Sequence, residues 1–132
     1  MSDIKFRVWD KHTKEMYDLV SIEFRNRTVQ IGFLNNPAWG SRIRRFDHVV
    51  IEQFTGLLDR NGKEIYEGDR INVFNWGLTD ELLGEAVVVF DPDAKGWRYD
   101  SDDPNIHDID AYDQFRVVEV IGNIHEGINK DA

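Results

Sequence analysis

The sequence feature that most constrains the fold is the density of turn signals in FTGLLDRNGKEIYEGDRI, residues 54–71. Asn61-Gly62 tolerates the positive φ angles of a type I′ turn and predicts a hairpin. Gly68 allows a second tight reversal, and the Asp69 carboxylate can accept hydrogen bonds from nearby backbone N–H groups. The residues between these turns are typical of β-strands. The stretch therefore predicts short strands joined by tight turns.

Short strands are also predicted along the rest of the chain. Alternating apolar and polar residues indicate one hairpin over residues 4–20 and a second over residues 21–33. Further strands are predicted at residues 49–58, 70–76, 86–90 and 115–121. Because no linker or repeat divides the chain, we expect residues 1–132 to form a single, mostly β domain, with antiparallel strands in a small barrel or sandwich. The order of turns and strands over residues 64–124 is that of an SH3-like barrel.

Length and composition exclude several classes of protein. A chain of 132 residues can bury a self-sufficient core. It contains no cysteine, which excludes disulfides, thiolate metal sites and a cysteine nucleophile and fits a reducing cytoplasm. The opening MSDIKFRVWD is not the pattern of a signal peptide, and no stretch approaches membrane-spanning length. We therefore expect a soluble cytoplasmic protein that does not bind membranes.

Charge is distributed unevenly along the sequence. Residues 1–70 carry 12 Lys+Arg against 11 Asp+Glu, whereas residues 71–132 carry 4 against 14. The net charge of -9 argues against nucleic-acid binding driven by the whole surface, because a polyanion would be repelled at long range. A local basic surface or an acidic surface remains available for binding.

Three blocks of the sequence resemble the YopX family of phage and prophage proteins. They are IKFRVWD at residues 4–10 with Met16 soon after, QFTGLLDRNGKEIYEGDRI at residues 53–71, and VIGNIHE at residues 120–126. The resemblance implies a β-rich fold, a phage-encoded protein in the cytoplasm of its bacterial host, and an unknown biochemical activity. It supplies no catalytic residues.

The central block has two interpretations. In the first, Asn61, Gly62, Gly68 and Gly122 are needed for backbone geometry, so the motif describes the fold. In the second, charged and aromatic side chains project from the turns as a recognition edge. Those side chains are Lys63, Glu64, Tyr66 and Asp69.

A basic and aromatic segment, residues 39–46, is a candidate binding site. Trp39, Arg42, Arg44 and Arg45 combine guanidinium groups with an aromatic ring, a pairing that can hold phosphates and stack bases. Alternation predicts a strand with Arg42 and Arg44 on one face and Ile43 and Arg45 on the other. The other interpretation is an exposed edge strand whose arginines pair with the acidic half of the chain and discourage aggregation.

An acidic segment follows in the second half. Its candidate binding residues are Asp102, Asp103, Asp108 and Asp110. They indicate either a solvated loop or a negative surface for a basic protein. Residues 91–102 also mimic a calcium loop, but Lys95 stands where an oxygen ligand belongs and Asp102 replaces the bidentate glutamate. A hairpin turn explains the same residues, and we predict no metal site.

No nucleophile motif, phosphate loop or dinucleotide fingerprint occurs, so we predict no enzyme and no cofactor. The leading hypothesis is a non-enzymatic accessory domain that binds a host or phage protein. The alternative is a nucleic-acid-binding small β-barrel that uses residues 39–46. A head-to-tail homo-oligomer, in which a basic edge strand meets the acidic loop of another copy, is also open.

Overall fold

The described part of the protein consists mostly of β-strands arranged in two antiparallel sheets. A computed structural model describes residues 4–75, 81–93, 95–103, 106, 109–110 and 116–126. The predicted mostly β, antiparallel fold is confirmed. Within these residues the helical segments are two 3-10 turns, Pro37–Trp39 and Phe46–His48. None of the described helices is long and apolar enough to cross a membrane.

The chain divides into two compact units. The N-terminal unit comprises Met1–Phe54 and Asn129–Ala132, and the C-terminal unit comprises Thr55–Ile128. Each unit has a hydrophobic core of its own. The single domain expected from the sequence stays a prediction.

The N-terminal unit contains the first sheet. Its strands are β1 Phe6–Asp10, β2 Glu15–Glu23, β3 Thr28–Gly32, β4 Ser41–Arg45 and the first part of β5 Val49–Leu58. The order across the sheet is β4-β3-β2-β1-β5-β6. Both predicted hairpins form, and β2 is common to them because it runs continuously with a bulge between Leu19 and Ser21.

One face of these strands forms the core of the N-terminal unit. The period of two in a strand places every second residue of β1 and β3 on this face. Its buried residues are Val8, Tyr17, Val29, Ile31 and Val49. The same face of β1 also carries Asp10, whose side chain is fully buried.

The C-terminal unit contains the second sheet. The strands that begin in this unit are β6 Glu64–Tyr66, β7 Asp69–Asn75, β8 Leu82–Asp91, β9 Gly96–Asp100, β10 Ile109–Asp110 and β11 Arg116–Asn123. The five strands after β6 form a sheet in the order β10-β9-β8-β7-β11. Its core residues are Ile65, Ile71, Val73, Ala86, Val88, Trp97, Tyr99, Ile106 and Val118.

The SH3-like barrel expected over residues 64–124 is corrected in one respect. Among the described residues, neither sheet is closed into a barrel. β4 and β6 are the outer strands of one sheet, and β10 and β11 are the outer strands of the other. The turn residues in the sequence predicted the strands. Closing a sheet into a barrel requires its two outermost strands to pair, and local sequence patterns do not predict that pairing.

The turn at Asn61-Gly62 forms a hairpin of a different type from the one expected. Gly62 has a φ of 81°, but Asn61 does not have the positive φ that a type I′ turn requires. The Gly62 N–H donates to Asp59 O, and the Asp59 N–H donates to Lys63 O. This is a longer loop, closed by a glycine in the left-handed region.

Candidate functional site

The predicted basic segment forms an edge strand, β4, of the first sheet. Its register with β3 places Arg42 opposite Ile31 and Arg44 opposite Val29, on the core face. Ile43 lies opposite Gln30 and Arg45 opposite Thr28, on the other face. The predicted alternation of Arg42 and Arg44 against Arg45 is therefore confirmed.

Arg44 is committed to an ion pair inside the N-terminal unit. Its Nε lies 2.8 Å from Oδ2 of the buried Asp10. The other carboxylate oxygen of Asp10 accepts backbone N–H bonds from His12, at 2.8 Å, and Thr13, at 3.4 Å. Burial raises the pKa of Asp10, but the Arg44 hydrogen bond and these N–H groups together hold the pKa below its usual range. Arg44 therefore links the edge strand β4 to β1 through a side-chain ion pair on the core face, with β3 and β2 between them in the sheet.

Arg42 lies over the ring of Trp39, with its guanidinium carbon 4.8 Å from the ring centroid. Trp39 is in turn held by two aromatic rings, Phe33 at 5.0 Å and Tyr17 at 5.7 Å between centroids. Tyr17 belongs to the core of the unit. Trp39 is thus packed against the core of the unit, and Arg42 makes a cation–π contact with its ring.

The arginines also cover the open edge of β4. The Phe46 N–H donates to Arg27 O at 2.9 Å, so alternation turns the backbone groups of Arg42 and Arg44 toward β3. The carbonyls of Ser41 and Ile43 then point to the open side. Arg42 Nη1 donates to Ser41 O and Arg44 Nη1 donates to Ile43 O, at 3.1 and 3.0 Å. These bonds occupy acceptors that an added strand would need.

The remaining residues of β4 face solvent. The Ile43 side chain is 64% exposed, and the Arg45 side chain is 71% exposed. Arg45 Nε lies 3.5 Å from Asp47 Oδ1, a distance typical of a weak surface ion pair. We define the β4 surface as the side chains that this edge strand and the preceding turn present on its two faces: Trp39 and Arg42 on one face, Ile43 and Arg45 on the other.

The expected pairing of these arginines with the acidic half is wrong. The acids that Arg44 and Arg45 contact are Asp10 and Asp47, both in the N-terminal unit. Arg44 on β4 and Asp10 on β1 come together only because β4, β3, β2 and β1 pair in that order. The order of charges along the sequence does not predict this contact.

A cleft that the sequence did not predict lies beside the β4 surface. It has a volume of about 450 Å³. The β2–β3 turn and the segment after β4 line it with Asn26, Arg27, Thr28, Arg45, Phe46 and Asp47. Of these residues the sequence singled out Arg45 and Phe46, since the others carry no motif and lie together only through strand pairing. We call this the hairpin cleft.

The acidic segment is partly neutralised by its own unit. Arg98 lies between two carboxylates, with Nε 3.4 Å from Asp91 Oδ2 and Nη1 3.2 Å from Asp100 Oδ1. The Ser101 hydroxyl donates to Glu85 O and accepts the Asp103 N–H, which attaches the loop to β8. Among the predicted residues, Asp102 is exposed and Asp103 is half-buried. Asp110 lies on β10, and Asp108 falls outside the described residues.

The residues of the calcium-loop mimic form the β8–β9 hairpin. The Asp93 N–H donates to Asp91 Oδ1 at 3.0 Å, and Lys95 has a φ of 55°. This is the turn chemistry expected of an Asp-containing reversal. In the described part of the chain, no group of three His, Asp or Glu side chains is placed to hold a metal ion.

The central motif is used to hold the fold. Asp59 is buried, and its Oδ1 accepts the N–H groups of Asn61 and Lys63 at 2.8 and 2.9 Å. Its Oδ2 accepts the Val120 N–H at 2.9 Å, which ties the loop to β11. Burial raises the pKa of Asp59, but the N–H groups of Val120, Lys63 and Asn61 and the charge of Lys63 lower it overall.

The second turn of the motif follows the same principle. Asp69 is buried, and its Oδ2 accepts the Tyr66 N–H at 2.7 Å. Gly68, with a φ of 85°, donates its N–H to Val88 O and accepts the Ile124 N–H. The two buried aspartates and the two turn glycines of the motif are thus engaged with backbone groups, which supports its interpretation as a folding signal.

Comparison with known proteins places the chain in a family. The sequence pattern described as "YopX protein" matches residues 5–129, nearly the whole chain. No curated protein matches the chain. Among solved structures, the crystal structure of protein EF1440 from Enterococcus faecalis is similar, with a TM-score of 0.57 and 24% identity over 96% of each chain. At this identity the likeness concerns the fold alone.

Proposed function

The chain belongs to the YopX family, and from that premise we propose that it is a phage-encoded binding module that captures a host or phage protein. The proposed module has no catalytic chemistry and acts in the cytoplasm of the bacterial host. The observation that carries the proposal is Ile43, an apolar side chain 64% exposed at the centre of an edge strand, with Arg45 beside it on the same face. Exposed apolar side chains with arginine neighbours are typical of protein–protein contacts.

The β4 surface is prepared for binding through side chains. On the face opposite Ile43, Trp39 packs against two rings, so its side chain has less freedom to lose on association, and Arg42 lies over the Trp39 ring. The carbonyls of Ser41 and Ile43 are already bonded to arginines, which disfavours the addition of a partner strand. We therefore expect the partner to meet the side chains of β4.

Charge favours an acidic partner for this surface. The N-terminal unit carries ten Lys+Arg against eight Asp+Glu, a net charge of +2. Complementary charge accelerates encounter and excludes basic partners from the same surface.

The acidic segment supports a second version of the same function, in which a basic protein binds the C-terminal unit. Asp102 is exposed there, whereas Asp91 and Asp100 already contact Arg98. Charge reversal at Asp102, Asp103, Asp108 and Asp110 should weaken capture of such a partner. Unchanged capture would contradict this version.

Nucleic-acid binding is the second candidate function, favoured by the stack of Arg42 on Trp39. Its weakness is that Arg44, one of three cations in the segment, is bonded to Asp10. The test is fluorescence anisotropy of labelled single- and double-stranded DNA and RNA at low and near-physiological salt. Binding that falls steeply with salt and is lost in R42A, which leaves the hairpin cleft unchanged, would favour this candidate. That variant leaves the Asp10–Arg44 pair intact.

The test of the leading proposal is site-specific photo-cross-linking in the bacterial host. A benzophenone amino acid replaces Ile43, and the matched control carries it at Asp93, an exposed turn position in the C-terminal unit. A discrete protein adduct from position 43, absent from position 93 and reduced by R45E, would support the proposal. Adducts that are the same from both positions would contradict it. An adduct containing a second copy would identify a homo-oligomer.

A further inference from the structure

The hairpin cleft joins two fixed strands at the end of the first sheet. Thr28 lies opposite Arg45 in the β3–β4 ladder, and the next pair is held by the Phe46 N–H, which donates to Arg27 O at 2.9 Å. Arg27 itself has a φ of 58°, a left-handed conformation that is uncommon for a residue with a side chain. Strand pairing therefore fixes the distance between the backbones of Arg27 and Arg45.

The cleft combines three kinds of group. Arg27 and Arg45 supply cations, and in the described part of the chain no hydrogen bond or ion pair engages the Arg27 guanidinium. Asp47 supplies an acceptor, and Asn26 and Thr28 supply further polar groups. Phe46 supplies an aromatic ring, which Phe24 meets edge-on at 6.2 Å between centroids.

These groups fit a ligand that carries hydrogen-bond donors and an aromatic ring as well as a negative charge. The volume of about 450 Å³ lies in the range of sites for small organic molecules. A carboxylate such as Asp47 repels a bare phosphate, but it accepts hydrogen bonds from sugar hydroxyls or base amino groups. An aromatic ring offers stacking to a base. A nucleotide carries the complementary phosphate, donors and ring in one molecule.

We propose that the hairpin cleft binds one nucleotide unit. Arg27 and Arg45 hold the phosphate, Asp47 accepts from the sugar or base, and Phe46 contacts the base. The unit is either a free mononucleotide or one residue of a single strand, since both present the same groups. This proposal does not depend on the capture of a protein through Ile43, which lies outside the cleft.

The test is titration of the full-length, ¹⁵N-labelled protein with each of four 5′-ribonucleotides, inorganic phosphate and a short single-stranded oligonucleotide, followed by NMR. The amides of residues 26–28 and 45–47 should shift saturably with nucleotides. R27A should weaken binding about tenfold, because a charge-assisted contact is lost. R25A is the matched control, since Arg25 is exposed in the same turn and does not line the cleft. It should leave affinity unchanged.

D47N separates a nucleotide site from a simple anion site. Removing the carboxylate should strengthen binding of inorganic phosphate and weaken binding of nucleotides. Phosphate that binds as tightly as nucleotides, or D47N that strengthens both, would overturn the proposal. So would the absence of shifts at residues 26–28 and 45–47. If the proposal holds, tighter binding of the oligonucleotide identifies a strand as the source of the unit, and tighter binding of mononucleotides identifies a free ligand.

Discussion

The two units of this protein bury a carboxylate in the same way but attach it to different partners. In the N-terminal unit, Oδ1 of Asp10 accepts two backbone N–H groups while Oδ2 accepts the Arg44 side chain. In the C-terminal unit, Oδ1 of Asp59 accepts two backbone N–H groups while Oδ2 accepts a third, from Val120. One carboxylate thus fixes a side chain on an edge strand, and the other fixes a loop to a strand.

The residues that stabilise the fold and the residues that are candidates for binding lie in different parts of the sequence. Asp59 belongs to the block that resembles the family, and its bonds end on the protein's own backbone. Arg44 and the hairpin cleft belong to residues 21–48, which lie within the family match but outside the three blocks recognised in the sequence. The N-terminal unit has a net charge of +2, whereas the C-terminal unit carries six Lys+Arg against seventeen Asp+Glu, a net charge of -11.

The largest effect is expected for D59N. An asparagine oxygen can keep the two Oδ1 bonds, but its amide group would face the Val120 N–H, which is itself a donor. A donor left unsatisfied in a part-buried site and the lost charge should together cost about 3 kcal/mol of the free energy of unfolding. Urea unfolding measures the loss, and D93N, at an exposed turn residue, is the control. A cost below about 1 kcal/mol would contradict the role of Asp59.

The same substitution at Asp10 should cost less. D10N keeps the Oδ1 bonds and loses the ion pair with Arg44, whose side chain is 26% exposed and can regain water. We expect about 2 kcal/mol, most of it recovered as coupling in a double-mutant cycle with R44Q. Equal costs for D10N and D59N would mean that the two carboxylates do not differ as their partners suggest.

The sequence predicted the strands around these two carboxylates but not their long-range hydrogen-bond partners. The strands, the hairpins and the alternation along β4 follow from local periodicity, so they were predictable. The bond from Asp59 to Val120 joins residues 61 positions apart, and that from Arg44 to Asp10 spans 34 positions. No local signal marks such pairs. The hairpin cleft was missed for the same reason, because Arg27 and Arg45 become neighbours only through the β3–β4 register.

Acid should weaken both units through these carboxylates. Each has a folded-state pKa below the usual value of an aspartic acid, so the folded state binds fewer protons there than the unfolded state. The stability they contribute is complete well above that value and is lost as pH falls through the folded pKa. The slope of unfolding free energy against pH in the acid limb should be smaller in D10N and D59N. Slopes identical to the wild type would contradict this.

A smaller loss is expected for G62A. A Cβ at Gly62 would meet nothing within 4 Å, so the cost is the positive φ of 81° alone. That cost should be about 1 kcal/mol, measured by urea unfolding. A neutral result would mean that the loop closes equally well in another conformation, and that the bonds to Asp59 decide the turn.

The smallest effect on stability is expected at the centre of the β4 surface. I43T retains a β-branched side chain at a position 64% exposed, so the free energy of unfolding should change by less than about 0.5 kcal/mol. V29T, on the buried face of the neighbouring strand β3, is the contrasting control and should be clearly destabilised because it buries a hydroxyl. If I43T lowers capture of a partner while stability is unchanged, Ile43 serves binding. If I43T destabilises the unit as V29T does, Ile43 stabilises the fold. The N-terminal unit would then not differ from the C-terminal unit in having exposed side chains available for binding.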